Sequence, residues 1–175
     1  MKYFIGFVAL IIILAGAGYW LMHRGGLPVP VQNTNDPKNA TYNIDGTSVT
    51  LVNGSSNVAQ DNSSAPIVTQ YFGNEATGDL NGDGMPDAVF ILTQTSGGSG
   101  TFYYAAADVS TPDGYRGTNA VLLGDRIAPQ TTQIQNGEII VNYADRAPTD
   151  PMTAQPSVGV SKYLQVSGTQ LSEVH

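Results

Sequence analysis

Hydrophobic and polar positions along this chain fall into two regimes. Residues 3–22 read YFIGFVALIIILAGAGYWLM, an apolar stretch without a charge. From residue 41 onward the apolar positions come in short runs or alternate with polar ones, and Gly, Asn, Asp and Pro interrupt them repeatedly. An unbroken run of about twenty apolar residues, at 1.5 Å per residue, spans a hydrocarbon core of about 30 Å as a helix. Alternation between turn-forming residues is the pattern of half-buried strands. The expectation is a transmembrane helix followed by a mainly β domain.

Within that domain, TYNIDGTSVTLVNG predicts a hairpin, with Asp45-Gly46 in its turn and alternation through Val49 and Leu51. Residues 53–64 (NGSSNVAQDNSS) predict a polar loop. Strands are predicted over 67–72, 88–94, 101–109, 119–123, 158–166 and 171–174, the last two about a turn at Ser167-Gly168. QIQNGEIIVNY is the strongest hairpin signal, with Asn136-Gly137 as a two-residue turn. No segment after Met22 keeps a long helical period. The fold class is therefore mainly β: an antiparallel meander forming a curved sheet, a small sandwich or a barrel, with few or no helices. The expected domains are an anchor at 1–24, a tether at 25–40 and a β-rich extracytoplasmic domain at 41–175.

The apolar segment is flanked by Lys2 and by His23-Arg24, and Tyr3 and Tyr19-Trp20 suit aromatic belts at two membrane interfaces. A cleaved signal peptide ending at Ala15-Gly16-Ala17 is the rival reading. A single lysine before the run, and five more residues beyond Ala17 before it ends, favour an uncleaved anchor. Leu14 to Ala17 also looks like a lipoprotein signal with alanine in place of the acylated cysteine, which excludes lipidation there. The small residues 15–18 would suit helix pairing, although a generic anchor explains them equally. Lys2 and Arg24 nearly balance across the span, so the orientation needs another argument. Residues 25–40 (GGLPVPVQNTNDPKNA) read as an extended, solvated tether; an edge strand through Val29-Pro30-Val31 is disfavoured because proline removes a ladder donor.

Composition narrows the function classes. Charged residues make up 12% of the chain, about half the usual share, and the net charge is -7 with seven Lys and Arg in all. Nucleic-acid binding needs a basic stripe that these scattered cations do not supply. The absence of cysteine removes disulfides, thiolate metal sites and thiol catalysis. The two histidines, His23 and His175, lie at the membrane edge and the final position, so neither a Ser-His-Asp triad nor a histidine zinc site has a centre.

The stretch GDLNGDGMPDAVFIL crowds acidic residues against an apolar run. With Asp79 as position 1, Asn81 is 3, Asp83 is 5, Gly84 is 6, Met85 is 7 and Asp87 is 9. Side-chain oxygens at 1, 3 and 5, a backbone carbonyl at 7 and a glycine at 6 suit a Ca2+ loop. Bare carboxylates a few ångströms apart repel by roughly 1 to 4 kcal/mol per pair, which a hard divalent ion reverses. The loop departs from the EF-hand: Phe90 stands where the bidentate glutamate belongs, Pro86 occupies position 8, and a strand follows where a helix should. Glu75 is a candidate outside ligand. Without the bidentate glutamate the affinity should be weak, on the order of 10⁻⁴ to 10⁻³ M, as in extracellular modules. Such a site fills only outside the cytoplasm, which orients the domain.

The nine-residue D-x-N-x-D-G-x-x-D form resembles the calcium loops of FG-GAP propeller repeats and, less closely, of dockerins. That resemblance implies a ligand role for Asp87 as well. It does not imply a propeller, because the motif occurs once. From Ile67 to the end, the blocks YFGNEATGDLNGDGMPDAVFILTQ, GGSGTFYY, LLGDR and YADRAPTDPM also resemble small uncharacterised exported bacterial proteins. This second resemblance implies a cell-envelope setting and carries no activity.

Two other constellations stand out. GGSGTFYYAAA places Phe102 and Tyr104 on one strand face and Tyr103 on the other. It reads as a packed core strand or, alternatively, as an aromatic platform for sugar. The repeated Asp125-Arg126 and Asp145-Arg146 converge at the open end of the Asn136-Gly137 hairpin, with Ile127 opposite Arg146 and Arg126 opposite Ala147 unless Pro129 shifts the register. They read as an ion-pair cluster or as a polar-ligand site. Asp108, Asp113 and Asp150 are the candidates for carboxylate hydrolysis, although their spacing singles out none of them. The leading expectation is a calcium-stabilised, membrane-tethered envelope module that binds or scaffolds a polysaccharide or protein and is not catalytic. A carbohydrate-binding module and a carboxylate hydrolase are the alternatives.

Overall fold

The structure is a computed structural model that describes residues 36–61 and 63–174. The expected membrane helix, most of the tether and His23 lie outside the described residues. Among the described residues, no helix is long and apolar enough to cross a membrane.

The described chain begins with a single 3-10 turn, Pro37–Asn39, which Asp36 caps by accepting from the Lys38 N–H at 2.9 Å. Residues 36–40 were expected to end the solvated tether, yet they are tied into the fold. Gly54 N–H donates to the Lys38 carbonyl at 2.8 Å, and Leu51 N–H donates to the Ala40 carbonyl at 2.9 Å.

Twelve strands follow: β1 Thr41–Ile44, β2 Thr47–Thr50, β3 Ser55–Gln60, β4 Ser63–Gly78, β5 Asp87–Thr95, β6 Phe102–Thr111, β7 Gly114–Gly117, β8 Val121–Asp125, β9 Ala128–Gln135, β10 Glu138–Asp145, β11 Val158–Ser167 and β12 Gln170–Glu173. They pair antiparallel into a β1-β2 hairpin, a six-stranded sheet ordered β3-β4-β5-β6-β7 with β8 also on β6, and a four-stranded sheet ordered β12-β11-β10-β9. The expected antiparallel meander is present twice.

The two meanders form a sandwich. Val89, Ile91, Ala105, Ala107 and Val109 of the six-stranded sheet share one core with Ile139, Val141, Tyr143, Leu164, Val166 and Leu171 of the four-stranded sheet. The alternate residues Ala88, Phe90, Leu92, Tyr104 and Ala106 form a second core with Tyr42, Ile44, Val49 and Leu51 of the hairpin. Alternation sends successive side chains to opposite faces, so β5 and β6 are buried on both sides. That placement explains why residues 88–92 form an unbroken apolar run.

Three strands differ most from expectation. Residues 55–60 form β3 rather than a loop; as an edge strand exposed on most positions, it carries no hydrophobic alternation. β7 is four residues long, and glycines at both ends leave it without a pattern. β4 is also longer than expected and bulges twice, between Tyr71 and Gly73 and between Gly73 and Ala76. Gly73 (φ 100°) and Asn74 (φ 51°) there take left-handed backbone. The bulge lets one strand serve both the hairpin side and the Asp79 loop.

Candidate functional site

The Asp79 loop connects β4 to β5. Gly82 and Gly84 hold φ near 81° and 82° with nothing within 4 Å of a would-be Cβ, so backbone conformation and not space demands glycine there. The chain folds around Asp79. Its Oδ1 accepts from Gly82 N–H at 2.7 Å and Asp83 N–H at 3.2 Å, and its Oδ2 accepts from Gly84 N–H at 2.9 Å. These amides, Gly84 foremost, hold the Asp79 carboxyl below its usual range. Asn81 Oδ1 accepts from Asp83 N–H, Asp83 Oδ1 from Met85 N–H, and Asp83 Oδ2 from Asn81 Nδ2. Asp87 is wholly buried at the root of β5, where its two oxygens accept from Leu80 N–H at 2.8 Å and Ser110 N–H at 2.7 Å.

Whether these residues suit a hard cation is a question of lone pairs and direction. A carboxylate has about four acceptor positions. Asp79 commits three, and Asp83 and Asp87 commit two each, so each of the three aspartates keeps acceptor capacity. The directions differ from a closed coordination shell: among the described residues, no three His, Cys, Asp or Glu side chains converge as a metal-holding group. The donor types, carboxylate and amide oxygens, are those a hard cation takes, while Asp83 Oδ2 is engaged by Asn81 Nδ2. Glu75, the candidate outside ligand, instead accepts a short hydrogen bond from Tyr71 Oη.

The structure does bring the two Asp-Arg pairs together. The β9–β10 register runs as expected from Gln135↔Glu138 to Asn142↔Thr131, then slips by one residue so that Tyr143 faces Pro129. Pro129 thus shifts the frame, and the expected facings of Ile127 with Arg146 and Arg126 with Ala147 do not continue. Arg146 donates to the backbone carbonyls of Arg126, at 3.0 Å, and Asp125. Arg126 forms an ion pair at 2.9 Å with its own neighbour Asp125, whose Oδ1 also accepts from Thr101 N–H. Partial burial opposes ionisation of Asp125, but Arg126 and the Thr101 amide outweigh it and hold the carboxyl below its usual range. Asp145 accepts from the Arg146 N–H. The arginines are spent on carbonyls and neighbouring acids, an arrangement that ties the strand ends together.

The Tyr-rich strand does not form an exposed platform. Tyr104 is 4% exposed and donates to Asp45 Oδ2 at 2.9 Å; burial first and this bond second push its hydroxyl up to about 12. Tyr103 packs edge-on against Phe72, and only Phe102 of the three is exposed. Asp113 and Asp150 sit in exposed surface turns, Asp150 accepting from Ala147 N–H, whereas Asp108 is buried. The hydrolase candidates thus divide between two exposed turns and one buried strand position.

A polar groove of about 620 Å³ lies between the hairpin and the β7–β8 connection, with Asn43, Asp45, Asn119 and Gln170 in its walls. Its amides are largely committed: Asn119 bonds both the N–H and the carbonyl of Leu171, and Asn43 accepts from Gly46 N–H.

Sequence reasoning gave Asp108 no role beyond hydrolysis. Yet strand alternation through Tyr104 and Ala106 places an aspartate on a buried face. That is the signal that marks it.

Comparison with protein-family models, with curated proteins and with solved structures finds no match to this chain.

Proposed function

We propose that this chain is a non-catalytic, calcium-stabilised β module held at the outer face of a bacterial membrane by residues 3–22, where it binds or scaffolds an envelope polysaccharide or protein. One observation carries the reading: four oxygen-bearing side chains at ligand spacing lie between two neighbouring strands of the six-stranded sheet, Asp79, Asn81 and Asp83 in the connecting loop and Asp87 at the first position of β5. With the Met85 carbonyl they would hold Ca2+. When bound, the ion supplies charge neutralisation and a rigid connection between β4 and β5. Asp87 roots the loop in the core, so a cation gained at the surface is felt by the central strand.

The test is thermal unfolding of the full-length chain in detergent, with about 10 mM calcium or with chelator. A dissociation constant of about 10⁻⁴ to 10⁻³ M gives a stabilisation of about 1.4 to 2.7 kcal/mol, or a midpoint raised by roughly 3 to 8 °C. Asp83→Ala should lose this gain. Equal midpoints with and without calcium would remove the metal from the account.

A further inference from the structure

Tyr42 and Asp108 meet where the β1–β2 hairpin covers the six-stranded sheet. The Tyr42 hydroxyl lies 2.6 Å from Asp108 Oδ2 and 2.7 Å from the Pro37 carbonyl oxygen. A tyrosine hydroxyl has one proton to donate. With Asp108 ionised, two acceptors compete for that proton and one short contact is left without a hydrogen. Both contacts are hydrogen bonds together only when the carboxyl brings its own proton. Asp108 then donates to Tyr42, and Tyr42 donates to Pro37.

The surroundings agree with that proton count. Asp108 is fully buried, and its Oδ1 has no hydrogen-bond partner. Burial pushes the carboxyl up to about 6 against the Tyr42 hydrogen bond, which on its own favours the charged form; Asp36 on the 3-10 turn and Glu75 on β4 add smaller repulsions that oppose its negative charge. β4 also contributes the Tyr71 hydroxyl, which is engaged with Glu75. The Lys38 ammonium stands 5.1 Å from the Tyr71 ring centre. The register partners of Asp108 are Ala88 on β5 and Gly117 on β7, neither with a polar side chain. Gly117 makes the approach possible, since a Cβ there would lie 2.8 Å from the Tyr42 ring and 2.3 Å from the Thr41 carbonyl oxygen.

We propose that Asp108, Tyr42 and Pro37 form a proton-operated latch on the segment by which the chain enters the fold. With Asp108 neutral, the relay ties residues 36–44 to the six-stranded sheet. When Asp108 gives its proton to solvent, the Tyr42 proton turns to the carboxylate and the Pro37 carbonyl loses its donor. The entering segment loosens while the sandwich beneath stays closed. The latch faces the hairpin core, whereas Asp87, as the strand neighbour of Ala88, faces the other core. It therefore stands or falls independently of calcium.

Amide hydrogen exchange on the full-length chain in detergent, at about pH 5 and about pH 7.5, tests this. Asn53 and Gly54 report the latch, because their N–H groups bond Asn39 Oδ1 and the Lys38 carbonyl. Ile139 and Val141 on β10 provide the reference that corrects for base-catalysed exchange. Protection at Asn53 and Gly54 should fall about tenfold or more relative to β10 at the higher pH. In Asp108→Asn, whose amide donates to Tyr42 at every pH, it should not change between the two. The Asp108 carboxyl carbon, followed by NMR, should titrate near pH 6. Unchanged wild-type protection, a drop that persists in Asp108→Asn, or a carboxyl titrating near pH 4 would each overturn the latch. If Asp108→Asn fails to fold, seen as lost protection on β10, the wild-type titration alone decides.

Discussion

Asp79 stands at the surface with three backbone N–H groups turned toward it, while Asp108 lies buried at the Tyr42 hydroxyl with one oxygen facing no donor. The same carboxyl group is held below its usual titration range in the first setting and above it in the second. The difference shows what each neighbourhood selects. A glycine-rich turn supplies preorganised amides that favour the charged form, and it gathers further acids that a cation would stabilise. A closed strand face removes water and adds two like charges, which favour the neutral form more than the single Tyr42 hydroxyl favours the charged one. One site is built to hold negative charge, the other to expel it.

The sharpest way to break the contrast is to remove the lid over Asp108. Tyr42→Ala takes away a fully buried ring that packs edge-on against Phe90 at 5.5 Å. It should cost about 3 to 5 kcal/mol in denaturant unfolding; a loss below about 1 kcal/mol would mean that the hairpin packs loosely.

The next effect is on pH. Asp108 titrates near 6 in the fold and near the ordinary carboxylate value when unfolded. Between those values the folded chain keeps a proton that the unfolded chain has lost. Stability from this group is therefore greatest at low pH, falls as pH rises from about 4 to about 6, and stays flat above. The full difference is about 3 kcal/mol. It should be visible as the wild-type stability curve minus that of Asp108→Asn, and a flat difference would refute it.

The calcium-dependent gain comes third, in the range given above, and Asp83→Ala should abolish it. The smallest expected effect concerns the same loop without metal. In chelator, Asp79→Asn keeps one acceptor oxygen for the turn amides and loses the other, and should lower the unfolding midpoint by roughly 2 to 4 °C. An unchanged midpoint would show that these amide contacts contribute nothing to stability.

Much of the fold was legible because local chemistry and burial agreed. Asn136-Gly137 set both the turn and the β9–β10 register as far as Asn142, and Asp45-Gly46 did the same for β1 and β2. The apolar run after Asp87 marked the most buried strand. What escaped was structure held by its neighbours rather than by its own pattern. Polar β3 exists because β4 offers it an edge, and short β7 exists because β6 extends past β8. The slip at Pro129 was visible only as a condition on the register, and it decided that Arg146 reaches carbonyls instead of acids. The spacing of the Asp79 loop was fully legible; the engagement of Glu75 by Tyr71 was not, because it depends on the bulge in β4. Asp108 stood out only as an acid on an apolar face, and its partner lies 66 residues away in sequence.

The claim that a cation belongs between Asp79 and Asp87 is tested most directly at the loop itself. Amide resonances of Gly82 and Gly84 in the full-length chain should shift along a saturable curve as calcium is added. One site with a dissociation constant of about 10⁻⁴ to 10⁻³ M is expected, with no shift in Asp83→Ala. Resonances that stay fixed up to about 20 mM calcium, well above that range, would contradict the account.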